Sequence, residues 1–207
     1  SEELLNNIDF LFKQTGRSIK ELKGIAVTIG PGSFTGLRIG LSTVKTFAQV
    51  LQIPVIGLST LDLLAYNLNL IQNWLVPVID AKRNRVYTAI YERWDQDIMS
   101  CKVIGDKAVH IEDLIKELRS VDSNGIFNFI GDGAFVYKDV LKESNLNIRC
   151  AAFYNSIPRG GAVAELGRYY LNNNIADNYL ELLPNYLKKP QAEINWQKKY
   201  GSGEVDG

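Results

Sequence analysis

The sequence holds one histidine, two cysteines and one methionine in 207 residues. A single histidine, His110, cannot supply an HExxH pair or any metal site that needs two imidazoles. With no other catalytic partner visible around it, His110 reads as a structural or surface residue just before a helix. Cys101 and Cys150 form no CxxC pair, and two cysteines do not make a disulfide framework; they read as reduced thiols of a cytosolic protein. There is no charge excess of either sign, since 23 Lys and Arg balance 23 Asp and Glu. A protein that grips nucleic acid unaided carries a basic excess, so any RNA contact is expected to be shared with a partner. No apolar run approaches the ~20 residues that cross a bilayer. Nothing resembles a signal peptide, a short repeat or a low-complexity tract. What is present is ample core material, with 46% hydrophobic residues.

Along the chain, "EELLNNIDFLFKQ" (2–14) places Leu4, Leu5, Ile8, Leu11 and Phe12 at helical spacing. "GIAVTIG" (24–30) and "IPVIGL" (53–58) read as short buried strands, and residues 35–51 between them as a helix with Ser33 or Thr35 as N-cap. A further helix is expected over 61–72, capped by Ser59 or Thr60. The order points to an α/β layer with parallel strands. From Trp74 the pattern changes to two strands joined by the polar turn "AKRNR" (81–85). A helix at 111–120, a strand at 126–131 and a helix over about 161–173 complete a second α/β unit. The expected division is 1–72 for the first unit, 73–200 for the second with its C-terminal segment, and 201–207 for a flexible tail. Two parallel strands make a very small sheet, so the first unit is expected to lack strands on its N-terminal side or to receive them from elsewhere.

The segment "GPGSFTGLRIG" (30–40) has the outline of a phosphate loop but not its spacing. Gly30 and Gly36 stand one position too far apart for GxxxxGK, and Leu37 occupies the place of the lysine. Against GxGxxG the third glycine is replaced by Thr35, and the first acid beyond is Asp62. The glycines therefore read as geometric. Gly30, Gly32, Ser33 and Thr35 form a sharp structural turn, with positive φ expected at the glycines. Gly36 and Gly40 lie one helical turn apart, and Thr43 and Phe47 continue that strip. Leu37, Leu41, Val44, Ala48 and Leu51 fill the opposite face. A helix apolar nearly all round needs cover on both sides. One side can be its own sheet. The other is either the helix at 2–14 or another protein, and internal packing alone is not excluded.

"GPGSFTGLRIG", followed in order by "IGLSTLDLLA", "VIDAKRNRVYTAIY" and "NYLKKPQAEINW", resembles the TsaB family, bacterial tRNA threonylcarbamoyladenosine biosynthesis proteins once called YeaZ. The resemblance spans residues 2–200. It implies an ASKHA fold (actin-like ATPase, ribonuclease H-like) with two subdomains, the first truncated at its N-terminus where the family has three strands and a histidine-bearing loop. It implies no catalytic residues, no metal and no enzyme activity of its own. It also implies a scaffold that dimerises with the catalytic paralogue TsaD and, with the ATPase TsaE, serves threonylcarbamoyl transfer to adenosine in tRNAs reading ANN codons. Alone, the family forms homodimers; tRNA is met only through the complex, and the setting is cytoplasmic. No cofactor is expected on the chain alone, with ATP or ADP a candidate at the TsaD interface. The interface implied by the two helices comprises Leu4, Leu5, Ile8, Phe12, Gly36, Arg38, Gly40, Thr43 and Phe47. The alternative reading is a stand-alone ATP-binding enzyme of the ASKHA class.

Three more groups call for a reading. Asp80, Lys82 and Arg83 sit at a hairpin tip that looks like a phosphate-loop position in ATP-using relatives, with charged side chains where small ones are wanted; a decayed site is favoured. "GDGA" (131–134) ends a strand where adenosine-binding loops lie in relatives; it reads as a plain turn, with such a loop as the alternative. Arg38 is poorly placed for the helix dipole and is expected in an ion pair or partner contact. The basic residues Lys188, Lys189, Lys198 and Lys199 read as a solvated face, with tRNA or a partner as the alternative.

Overall fold

The computed structural model describes residues 2–68, 73–92 and 101–187; Lys188, Lys189, Lys198 and Lys199 lie outside them. Helix α1 (Glu2–Thr15) half-buries Leu4, Ile8 and Phe12, spaced four apart along one stripe. It ends where Thr15 Oγ1 donates to the Leu11 carbonyl at 2.8 Å and Gly16 turns left-handed. Strand β1 (Ile25–Gly30) leads into helix α2 (Phe34–Leu51), and strand β2 (Val55–Ser59) runs parallel to β1, with Ile25 opposite Val55 and Thr28 opposite Leu58. Leu41 and Ala48 of α2 cover one face of this two-stranded sheet, packing with Val55, Ile25, Val27 and Ile29. Among the described residues β1 pairs on one side only.

Helix α3 (Thr60–Tyr66) starts on a Ser59 cap, whose Oγ accepts from Leu61 N at 3.1 Å. It is shorter than the helix expected over 61–72, of which 69–72 fall outside the described residues. Strands β3 (Trp74–Asp80), β4 (Arg85–Tyr91) and β5 (Lys102–His110) form an antiparallel meander. Next come helix α4 (Ile111–Val121), strand β6 (Ile126–Ile130), helices α5 (Gly133–Val136) and α6 (Lys138–Glu143), and strand β7 (Asn147–Cys150). The five-stranded sheet has the order β5-β4-β3-β6-β7, with β6 parallel to β3 and β7 parallel to β6. β5, α5, α6 and β7 add to the elements read in the sequence. β4 lies between β5 and β3, and its successive residues Thr88 to Tyr91 are all buried, so both faces are covered there. Gly131 has a φ of 113°, and a Cβ on it would strike the Val78 carbonyl. The Gly-Asp-Gly turn is thus a close backbone approach, which accounts for its glycines without a ligand.

Helix α7 (Gly160–Asn172) packs on the small sheet, not on the large one. Gly167 lies so close to Ala26 that a Cβ there would collide with the alanine methyl. Ala162, Leu166 and Tyr170 share a cluster with Ile56, Leu58, Leu61, Leu75 and Tyr91, drawn from both sheets. The chain then straps across the first sheet. Asp177 Oδ2 accepts from Gly57 N at 2.7 Å, Leu182 is buried, and Asn185 N donates to the Ile29 carbonyl at 2.7 Å.

Where the sheets meet, polar groups are enclosed. Lys102 Nζ lies 2.6 Å from Asp62 Oδ1 and 2.7 Å from Asp106 Oδ1. Tyr91 OH donates to Asp62 Oδ1 at 2.5 Å; Ser59 Oγ and Asn185 Nδ2 donate to Asp106 Oδ2 at 2.6 and 3.1 Å. Burial pushes the Asp62 carboxyl above its ordinary value, against the pull of Lys102. For Lys102 burial acts to lower the value, but Asp62 and Asp106 outweigh it and the ammonium is held above the usual lysine range. The stability this lysine adds is therefore full below its unfolded value and lost only as pH rises through the raised one. The substitution Lys102→Met would leave two carboxylates enclosed without their cation. It should cost about 3–5 kcal/mol at neutral pH, read by guanidinium unfolding. The loss should shrink as pH falls into the carboxylate range, because the raised Asp62 takes up its proton at a higher pH in the native state than unfolded. An equal loss at neutral and acid pH would show that the lysine acts only by filling space.

Candidate functional site

Helix α2 begins at Ser33, whose Oγ accepts from Gly36 N at 3.3 Å, so of the two caps considered the serine is the one used. Gly30 takes a φ of 110°, and a Cβ there would press on Leu37 and the Asn185 carbonyl. Gly32 is not in the left-handed region, and a Cβ on it would meet nothing within 4 Å. The turn therefore needs glycine at position 30, and the expectation of positive φ at Gly32 is corrected. Thr35 lies exposed in the first turn.

The glycine strip is open. A Cβ at Gly40 would have no neighbour within 4 Å, and one at Gly36 would meet only Ser33, at ordinary contact distance. Each glycine costs a helix about 1 kcal/mol relative to alanine. No packing within the described chain repays that cost. Thr43 and Phe47 continue the strip and are half-buried. Phe47 borders a groove of about 350 Å³ against α1, where Leu5, Ile8 and Phe12 line the other wall. The structure thus brings together four of the expected interface residues, with Leu4 half-buried on the same helix. α1 has no fully buried side chain between Glu3 and Thr15. Leu5 is 47% exposed, and Phe10 and Leu11, which sequence reasoning left out of the interface, are 58% and 60% exposed. Arg38 points elsewhere. Its guanidinium lies 4.9 Å from the centre of the Phe34 ring, which stacks on Tyr186 at 5.1 Å. Tyr186 is far away in sequence, so no local pattern announces that stack.

The hairpin tip between β3 and β4 has a different character. Lys82, Arg83 and Asn84 all take positive φ. Asp80 holds this tip: its Oδ1 accepts from Lys82 N at 2.8 Å and from Tyr137 OH at 2.9 Å, and its Oδ2 pairs with Lys82 Nζ at 2.6 Å. Asp132 Oδ1 accepts from Asp80 N at 3.0 Å. Burial, then the bond to Asp80, pushes the Tyr137 hydroxyl up to about 12. The adjoining cavity of about 460 Å³ is lined by Asp80 and Asp139 as well as by Lys82 and Arg83. Lys82 pairs with Asp80, and the carboxylates of Asp80 and Asp139 border the space beside Lys82 and Arg83, a mixed lining unlike the cradle of N–H groups that takes a phosphate. His110 precedes α4 and makes no side-chain cap bond. Among the described residues no group of three His, Cys, Asp or Glu side chains could hold a metal ion, and no helix is long and apolar enough to cross a membrane.

The chain matches, over residues 1–196, the family model described as TsaD: tRNA N6-adenosine threonylcarbamoyltransferase. Among curated proteins, the tRNA threonylcarbamoyladenosine biosynthesis protein TsaB of Bacillus subtilis is 32% identical over 180 residues, covering 86% of this chain and 74% of that protein. The Escherichia coli protein of the same name is 29% identical over 156 residues, covering 72% and 64%. A solved Pseudomonas aeruginosa protein described as similar to peptidase YEAZ superposes with a TM-score of 0.71 at 22% identity, covering 91% of this chain and 84% of that one. At that identity the superposition speaks for the fold. Two α/β units around a shared core, one small parallel sheet and one five-stranded mixed sheet, form the actin-like ATPase (ASKHA) architecture expected. The chain belongs to the TsaB (YeaZ) family.

Proposed function

We propose that this chain is a non-catalytic docking subunit of the system that forms threonylcarbamoyladenosine in tRNA, seated through α1 and α2 on a TsaD-type transferase. Its relatives carry the name of that biosynthesis. One observation carries the docking assignment: Gly36 and Gly40 keep a helix face bare where nothing in the described chain approaches it. Beside that face lie the half-exposed apolar side chains of α1. Small residues let a second helix come close, and exposed apolar neighbours supply the area such a contact buries. The same face serves a second copy when the chain is alone. TsaE joins through the transferase complex, tRNA is held by the assembly, and the assembly works in the cytoplasm. An ATP or ADP at the interface would draw its phosphate ligands from the partner, since Lys82 is committed to Asp80. That commitment also weighs against the reading as a stand-alone ATP-using enzyme.

The two glycines allow a test that separates folding from docking. The substitution Gly40→Ala should raise the unfolding free energy by about 0.5–1 kcal/mol, since the new methyl meets nothing and the helix gains propensity. The same change should weaken capture of the TsaD-type partner in a pull-down. A loss of stability would place an unseen contact at this position.

A larger side chain should separate the two further. Gly40→Leu should leave the circular dichroism spectrum and monomer unfolding intact while abolishing partner capture. In a reconstituted assay with TsaD-type and TsaE-type proteins, it should also bring threonylcarbamoyl transfer to tRNA down to the level seen when this chain is omitted. Undiminished capture by Gly40→Leu would remove the face from the interface.

A further inference from the structure

A second exposed surface lies in the stretch that follows β7, beside the end of α3. Residues 153–155 form a short 3-10 turn that presents Phe153 and Tyr154 outward, 63% and 67% exposed. Rings this large are seldom left in water by a rigid loop. This loop is rigid. Asn155 N donates to the Ala152 carbonyl at 3.0 Å and Ser156 N to the Phe153 carbonyl at 2.9 Å. Asn67 Nδ2, from the end of α3, donates to the carbonyls of Asn155 and Ile157 at 2.7 and 3.1 Å. Phe153 is braced edge-on by Phe135 at 5.5 Å. Arg159 NH2 donates to the Tyr154 carbonyl at 2.8 Å, and the guanidinium sits 6.0 Å from the centre of the Tyr154 ring. Both rings and the cation are fixed before any partner arrives.

The loop itself carries charge of one sign. From Arg149 to Ala164 the chain contains two arginines and neither Asp nor Glu. On the neighbouring helices Asp132 accepts from Asp80 N, Asp139 lines the cavity at the β3–β4 tip, and Glu165, the first acid beyond this run, is hydrogen-bonded with Tyr66. Lys138 acts on Cys150 from the other flank, partly offsetting the upward push of burial on that thiol. An outward aromatic ring, a guanidinium and an acid-free loop match the two surfaces of an unpaired nucleotide, its flat base and its phosphate. A protein partner would be served by the apolar rings, but it gives no reason for the sustained absence of acid. We propose that Phe153, Tyr154 and Arg159 form an RNA contact that stacks an unpaired base on the Tyr154 ring and holds its phosphate at Arg159. The inference rests on the reading of the chain as part of a tRNA-modifying assembly. The near-zero net charge keeps the contact weak for the chain alone, so it contributes within an assembly rather than capturing RNA unaided.

The test is direct binding of a fluorescent RNA hairpin with an unpaired loop, measured for the full chain alone and with the TsaD-type partner. Tyr154→Ala should weaken binding by about tenfold or more, with Tyr154→Phe restoring most of it, because a ring is needed and a hydroxyl is not. Arg159→Gln should weaken binding and reduce the salt dependence by about one phosphate contact. Tyr154→Ala and Arg159→Gln should capture the TsaD-type partner like the unaltered chain, so failure of the docking face and failure of this contact are read separately. The proposal is overturned if Tyr154→Ala and Arg159→Gln bind RNA unchanged in both settings. It is equally overturned if no RNA binding is measurable in either, or if these variants lose partner capture while RNA binding persists, which would make the patch a protein contact.

Discussion

A lysine enclosed by two carboxylates fixes how the two sheets of this chain meet. Asp62 comes from the helix after β2, Asp106 and Lys102 from β5, and Tyr91 from β4, so the cluster cannot form unless both units are folded and seated. An ion cluster of this kind contributes little net stability, because desolvation offsets most of the attraction. Its stringency is what matters. Any slip between the sheets leaves a carboxylate or an ammonium dry and unpaired, which costs several kcal/mol. The apolar cluster around Leu61, Leu75 and Tyr91 supplies the adhesion, and the charges set the register.

Asn185 carries this constraint out to the docking helix. Its side chain donates to Asp106 within the cluster, while its backbone N–H donates to Ile29, next to the turn that launches α2. A Cβ on Gly30 would press on the carbonyl of the same residue. The start of α2 is thus braced by the C-terminal strap, and Lys45 adds a bond to the Leu180 carbonyl at 3.2 Å further along the helix. A helix that presents a bare glycine face needs such bracing. Glycine weakens it from within, and α1 covers it loosely. Rigidity supplied from behind lets the face stay open in front.

Much of this was legible in the residues. β1, β2 and α2 announce themselves because their apolar positions follow one period each, and the bare strip follows from Gly36 and Gly40 standing four apart. β5 was hidden for a physical reason. Its inward positions at Lys102 and Asp106 carry charge, while Val103 is half-exposed, so the usual alternation is inverted where the cluster needs polar groups. The return of α7 to the first sheet was also invisible, since the snug contact of Gly167 with Ala26 joins residues 141 positions apart, taken from their numbers. The acid-free run around Tyr154 was there to be read in the sequence. Its meaning came only once the loop was seen to hold the ring outward.

The β3–β4 tip is organised by a carboxylate of the protein itself. Three successive non-glycine residues in the left-handed region each cost on the order of 1 kcal/mol or more. A loop that cradles phosphate avoids that cost with glycine and points its backbone N–H groups at the ligand. Here Asp80 takes the Lys82 N–H and ammonium for itself, and Tyr137 donates to the same carboxylate. The anion that organises the tip is part of the protein. A carboxylate in that role repels an incoming phosphate, which supports the proposed reading of the chain as a docking subunit. The open face of α2 is the surface on which that proposal rests.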